Sequence, residues 1–149
     1  MPVDVQTEIE IARPRAEVAG FACDPDNATR WYRNIESIEW TTSRPLQVGS
    51  RVRFVARFLG RGLAYTYEVT DWIPGERFVM RTAEGPFPME TTYTWDDAPG
   101  GGTRMRLRNR GEPSGFSKVA APMMASAMRR ANRKDLALLK EVMESAGRS

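Results

Sequence analysis

The chain is predicted to be an α+β protein, a curved antiparallel sheet of about six or seven strands wrapped around a long C-terminal helix. Three observations predict this. The first segment alternates apolar and polar residues with period two, and two short helical segments follow it. From Ile35 onward, alternating segments are separated only by tight turn signals, and connections that short join antiparallel neighbours. After Pro113-Ser114-Gly115 the composition changes: Phe116 to Ala146 lacks glycine and is rich in Ala, Met, Leu, Lys, Arg and Glu, a helix composition about 45 Å long if continuous.

The elements follow in order. Val3, Val5, Thr7, Ile9 and Ile11 alternate with Asp4, Gln6, Glu8 and Glu10, which is a half-buried strand. Pro14 suits the first turn of a helix whose apolar side carries Val18 and Phe21. Asp24-Pro25-Asp26-Asn27 is a cap cluster before a second short helix through Thr29, Trp31 and Tyr32, with Asp26 or Asn27 as the capping acceptor. Strands are expected over Ile35–Trp40, Arg51–Leu59, Leu63–Trp72, Arg77–Ala83, Met89–Trp95 and Thr103–Arg110. In the final helix Pro122 should kink or restart the chain. Leu136, Leu139 and Met143 form an i, i+3, i+7 stripe built for burial.

The 149 residues fit one domain, residues 1–149, large enough to bury a core without disulfides or metal. There is no histidine and a single cysteine, Cys23. Ser-His-Asp and Cys-His nucleophile systems, zinc patterns with imidazole ligands and all-cysteine zinc sites are thereby excluded, and no cofactor is expected. Lys and Arg total 22 against 19 acidic residues, and the excess is nearly all arginine. No run approaches the ~18 apolar residues of a membrane span, and no signal segment is visible at the start. A cytoplasmic protein without stable membrane insertion, monomeric or homodimeric, is the expectation.

Several runs carry a resemblance. Phe21-Ala22-Cys23-Asp24-Pro25-Asp26-Asn27-Ala28-Thr29-Arg30-Trp31 resembles an F-x-x-D-P-x-N-x-x-x-W segment, and Val48-Gly49-Ser50-Arg51-Val52-Arg53-Phe54 a V-G-x-x-x-x-F strand opening. Tyr67 to Phe78 resembles a Y-x-V-x-x-x-x-P-x-x-x-F hairpin; Gly101 to Met105 and Asp135 to Lys140 resemble the last strand and distal helix. Together with the element order, they are similar to the START-like (SRPBCC, helix-grip) superfamily and its bacterial polyketide cyclase/dehydrase-like branch, over nearly the whole chain. The resemblance implies a cavity between sheet and helix. It does not fix a function, because the scaffold hosts carriers, cyclases, dehydratases, hydrolases and receptors.

Alternation sends Val52, Phe54, Ala56, Phe58, Tyr65, Tyr67, Val69, Phe78, Met80, Thr82, Met89, Thr91, Tyr93, Trp95, Met105, Leu107 and Asn109 inward. Val69, Phe78, Tyr93, Trp95 and Leu107 read as plain core. The candidate ligand-binding set is Phe54, Ala56, Phe58, Tyr65, Tyr67, Met80, Met89, Thr91, Met105 and Asn109, joined from the helix by Met123, Met124 and Met128. Flexible thioethers suit either an irregular core or a hydrophobic guest, and the helix face toward that guest is left open. Polar handles would be Tyr65, Tyr67, Thr91 and Asn109. Asn132 and Asp135 are placed to face inward, but Asp135, one step before the Leu136 stripe, is expected to be partly exposed and structural.

Catalysis without histidine would fall to buried carboxylates such as Asp71 or Glu90, to tyrosines, with Tyr65 and Tyr67 the candidates, or to an arginine stabilising an enolate. Glu68 and Glu90 alternate outward, the side of Asp71 is undetermined, and Cys23 beside Asp24 reads as a packing residue. Arg51, Arg53, Arg57, Arg104, Arg106, Arg108 and Arg110 should decorate a convex, ion-paired face. Acidic residues interleave with them and no stacking platform accompanies them, so no nucleic-acid partner is expected. The leading expectation is a small-molecule binding module for a hydrophobic, lipid-, aromatic- or polyketide-like ligand. The alternatives are a cofactor-free cyclase or dehydratase using tyrosine hydroxyls and water, and a protein acting through its surface.

Overall fold

A computed structural model of the chain describes residues 3–58, 60–85, 88–112 and 121–146. Strand β1 (Val3–Ile11) leads into helix α1 (Arg15–Cys23), a 3-10 turn (Pro25–Asn27) and a one-turn helix α2 (Ala28–Trp31). Six strands follow: β2 (Ile35–Trp40), β3 (Arg51–Phe58), β4 (Arg61–Ile73), β5 (Arg77–Glu84), β6 (Met89–Asp97) and β7 (Thr103–Gly111). Helix α3 (Ala121–Ala146) closes the order. The seven strands form one antiparallel sheet in the order β1-β7-β6-β5-β4-β3-β2. The meander from β2 to β7 is thus completed by β1, which pairs along all of β7. This is the expected helix-grip architecture.

Local chemistry explains the joints. In β1, Val3, Val5, Thr7 and Ile11 are buried while Asp4, Gln6 and Glu8 are exposed, so the strand has one wet face. Pro14 stands just before α1, where its carbonyl accepts from Glu17 and Val18 N–H. The 3-10 turn is capped by Asp24, whose carboxylate accepts from Asp26 N–H at 2.9 Å. The expectation that Asp26 or Asn27 is the capping acceptor fails, because the Asp26 carboxylate is drawn to Trp40 Nε1 (3.0 Å) and the Arg44 guanidinium (2.8 Å).

A bulge in β4 decides one question that alternation left open. Val69 faces Met80 but Asp71 faces Val79, so Thr70 is an extra residue. The bulge turns Asp71 outward into an ion pair with Arg77 at 2.7 Å and swings Trp72 edge-on to Phe78. In α3, Pro122 is the second residue, where a missing N–H costs no helical bond. The predicted stretch 116–120 lies outside the described residues.

Among the described residues the core falls into three clusters: one around Ala28, Val52 and Phe54, and two that include residues of α3. Leu136, Leu139 and Met143 pack with Ile11, Val18, Trp31, Phe78, Tyr93, Trp95, Met105 and Leu107. Each such side chain contributes about 1.5–3 kcal/mol by leaving water. Met124 and Met128 pack instead with Val3, Val5 and Leu63 near the start of the helix. The opposite face of the sheet carries cross-strand ion pairs, including Arg108–Asp4 (2.6 Å), Arg106–Asp96 (2.7 Å), Arg104–Glu10 (3.0 Å) and Arg81–Glu90 (2.6 Å). Among the described residues no helix is long and apolar enough to cross a membrane.

Candidate functional site

Between these clusters the packing opens into a cavity of about 170 Å³, more than ten times the roughly 10–15 Å³ that one water needs. Its floor is the concave side of β3 to β7, its end wall is α1 to the start of β2, and its roof is α3. Strand alternation delivers Phe54 and Ala56 from β3, Leu63, Tyr65 and Tyr67 from β4, Phe78, Met80 and Thr82 from β5, Met89, Thr91 and Tyr93 from β6, and Asn109 from β7. Helix α3 contributes Met124, Met128, Ala131, Asn132 and Asp135.

The aromatic wall is fixed by mutual contact. Phe54 stacks on Tyr65 with centroids 5.7 Å apart, and Tyr65 meets Tyr67 edge-on at 5.1 Å. The polar groups divide into three sets. In the first, Thr91 Oγ1 donates to Asn109 Oδ1 at 2.8 Å. That spends its only proton, so Tyr67 must donate to Thr91 across 3.0 Å. In the second, the hydroxyls of Tyr32 and Tyr93 share a hydrogen bond, and Tyr32 is further packed against Trp31. In the third, Asp135 Oδ1 accepts from Arg33 N–H at 3.0 Å, and Asn132 stands one helical turn before it. Among the described residues, Asn132 Nδ2 is buried without a partner.

Electrostatics follow from burial. Removal from water pushes the Asp135 carboxyl up to about 6, opposed by the hydrogen bond from Arg33 N–H and by the Arg33 charge. Burial likewise pushes Tyr32, Tyr65, Tyr67 and Tyr93 up, and for Tyr65 the charges of Tyr67 and Asp135 add to it. All four phenols therefore stay protonated at neutral pH and act as hydrogen-bonding groups rather than bases. Burial, then the Asp24 charge, pushes the Cys23 thiol up, so Cys23 is a small buried wall residue and no activated nucleophile.

Ten of the sequence-predicted ligand-binding residues come together on the cavity wall: Phe54, Ala56, Tyr65, Tyr67, Met80, Met89, Thr91, Asn109, Met124 and Met128. Three do not. Met123 is 67% exposed, since successive residues on a helix diverge by about 100° and Met124 takes the inward direction. Met105 is fully buried in the distal core cluster, paired between Ile9 and Trp95. The Phe58 side chain lies outside the described residues.

One correction runs the other way. Asp135, expected to be partly exposed, is 3% exposed and lines the cavity; Phe78 and Tyr93, read as plain core, are core residues that also border it. The signal for Asp135 was available: Met124, Met128, Asn132, Asp135 and Leu139 step by four, four, three and four, one continuous helical stripe. Tyr32 had no comparable signal, because its position depends on the 3-10 turn that carries α2 across the sheet.

Three solved structures share this architecture over nearly their whole length. A START superfamily protein from Mycobacterium smegmatis superposes with a TM-score of 0.82 at 14% identity, covering 96% of this chain and 98% of that one. TTHA0849 from Thermus thermophilus gives 0.79 at 24% identity, with coverage of 96% and 98%. The Zhui aromatase/cyclase from Streptomyces sp. R1128 gives 0.79 at 16% identity, with coverage of 97% and 94%. At these identities the likeness is one of fold. No curated protein matches the chain. The profile of one family, described as "Polyketide cyclase / dehydrase and lipid transport", matches residues 2–144. With that match spanning nearly every element of the sheet and its helix, the chain belongs to the polyketide cyclase/dehydrase and lipid transport family.

Proposed function

We propose that the protein is a single-domain small-molecule binding module that holds a hydrophobic ligand, lipid-, aromatic- or polyketide-like, between the sheet and α3. One observation carries this reading. The cavity is walled mainly by apolar and aromatic side chains, and most of its polar groups are already held in place by hydrogen bonds. Such a surface gains by excluding water and binds with little reordering. The four methionines on its wall adapt to irregular shapes. Native mass spectrometry of protein purified from its host, followed by organic extraction, should detect a noncovalent apolar adduct. Ala56→Trp, which pushes an indole into the cavity, should abolish it while leaving a cooperative thermal transition. Persistence of the adduct in Ala56→Trp would contradict the reading.

A second reading is favoured by Asp135. A carboxyl that titrates near neutrality, within electrostatic reach of the protonated phenols of Tyr32 and Tyr65, is suited to proton transfer in a cofactor-free cyclisation or dehydration. Turnover of a polyketide-like substrate should then rise through an apparent pKa near 6, and the inflection should vanish in Asp135→Asn. A rate independent of pH between about 5 and 8 would remove Asp135 from the chemistry.

A further inference from the structure

The buried polar end of the cavity carries charge of one sign only. Three ionisable residues with formal charge at neutral pH border the cavity as a whole: Asp24, Arg57 and Asp135. Asp24 is committed to capping the 3-10 turn. Arg57 stands at the rim, its side chain 68% exposed and its Nε donating to Glu36 at 2.8 Å. Asp135 alone is deeply buried, and among the described residues no buried Arg or Lys side chain accompanies it on the wall. The site therefore has no internal cation for a carboxylate, sulfate or phosphate group.

What it does have is an unfilled donor next to an unfilled acceptor. Asn132 is 6% exposed and its Nδ2 has no hydrogen-bond partner among the described residues. Asp135 commits Oδ1 to Arg33 N–H, and its other oxygen takes no hydrogen bond among the described residues. The two side chains stand at i and i+3 on one helix face, and both border the cavity. A hydroxyl accepts one hydrogen bond and donates another, so it satisfies both groups at once. A carboxylate can only accept, and it would sit against the negative charge of Asp135.

Resting on the binding reading above, we propose that Asn132 and Asp135 form a head-group subsite. This subsite selects uncharged hydrophobic molecules bearing a hydroxyl, alcohols or phenols, and rejects carboxylates of the same size.

Three probes of matched shape test this: naphthalene, 2-naphthol and 2-naphthoate, titrated into the full chain by fluorescence or calorimetry. At about pH 8 the phenol is neutral and the acid ionised. The expected order is naphthol tightest, and naphthoate at least about tenfold weaker. Asp135→Asn keeps an acceptor for Arg33 N–H but removes the charge, so the naphthol-to-naphthoate ratio should fall at least about threefold. Asn132→Leu should weaken naphthol about three- to tenfold while sparing naphthalene.

Should Asp135→Asn fail to fold, lowering the wild type to about pH 5 neutralises the same carboxyl while most of the naphthoate stays ionised. The groups facing Asp135 are Arg33, Tyr32 and Tyr65; burial keeps both phenols protonated through that interval, so naphthoate affinity should then rise. Equal or tighter binding of naphthoate at about pH 8, with naphthalene still bound, would overturn the head-group subsite alone. Failure of all three probes to bind would overturn the cavity-binding reading together with it.

Discussion

Replacing Asp135 by asparagine should stabilise the protein at alkaline pH, and the gain should fade on acidification. Burial lifts this carboxyl from 3.8 to about 6 in the folded state, so the native protein binds the proton more tightly than the unfolded chain does. Between those values stability falls as pH rises, and above about pH 6 the ionised carboxylate exerts its full cost. The shift corresponds to about 3 kcal/mol at pH 8 and about 0.5 kcal/mol at pH 4. Asparagine retains an oxygen for Arg33 N–H, the one hydrogen bond that Asp135 makes among the described residues. Asp135→Asn should therefore gain up to about 3 kcal/mol at pH 8 and at most a few tenths near pH 4. Urea unfolding of both proteins at the two pH values measures this, and the other titrating groups cancel in the difference. Destabilisation at pH 8, or a difference that does not change with pH, would refute the reasoning.

Other consequences separate core from cavity. Leu139, fully buried in the distal cluster, should lose about 2–5 kcal/mol on replacement by alanine, with ligand affinity per folded molecule unchanged in a titration below the melting range. Met128→Gln puts an amide on the cavity wall and should weaken an apolar probe at least about fivefold. Met123→Gln, on the exposed side of the same helix, should shift neither binding nor stability by more than about 0.5 kcal/mol. The buried, protonated Cys23 thiol should resist a disulfide reagent at pH 8 in the native state and react promptly in urea. Fast labelling without urea would place it in a more open environment than the cavity wall described above.

The fold was legible because its strands alternate with period two and are punctuated by Gly and Pro turns, so pairing and facing follow from local pattern. The Leu136–Leu139–Met143 stripe and most of the concave wall followed in the same way. Alternation failed where the backbone changed register. The bulge at Thr70 sends Asp71 to the surface against Arg77, and nothing in the local composition announces it. On α3 the fault lay in the phase rather than in the pattern. Reading Asp135 against Leu136 alone makes it marginal, whereas counting forward from Met128 places it inside. Tyr32 reaches the cavity's end wall, and Arg33 N–H reaches Asp135, only through the tertiary path of the 3-10 turn and α2. No strand-by-strand reading contains that path. Met105 departs from expectation for a related reason: it faces the concave side as alternation requires, but at the end of the sheet already filled by Trp95 and Leu139.

The central claim is that a hydrophobic molecule sits between the sheet and the first half of α3. The methionines test it directly, because four of them line the cavity and others do not. Proton–carbon NMR of protein labelled at the methionine methyls, titrated with 2-naphthol, should shift Met80, Met89, Met124 and Met128. Met105 in the distal core and Met123 on the surface should stay in place. Shifts confined to Met123, or no shift at saturating probe, would contradict the account.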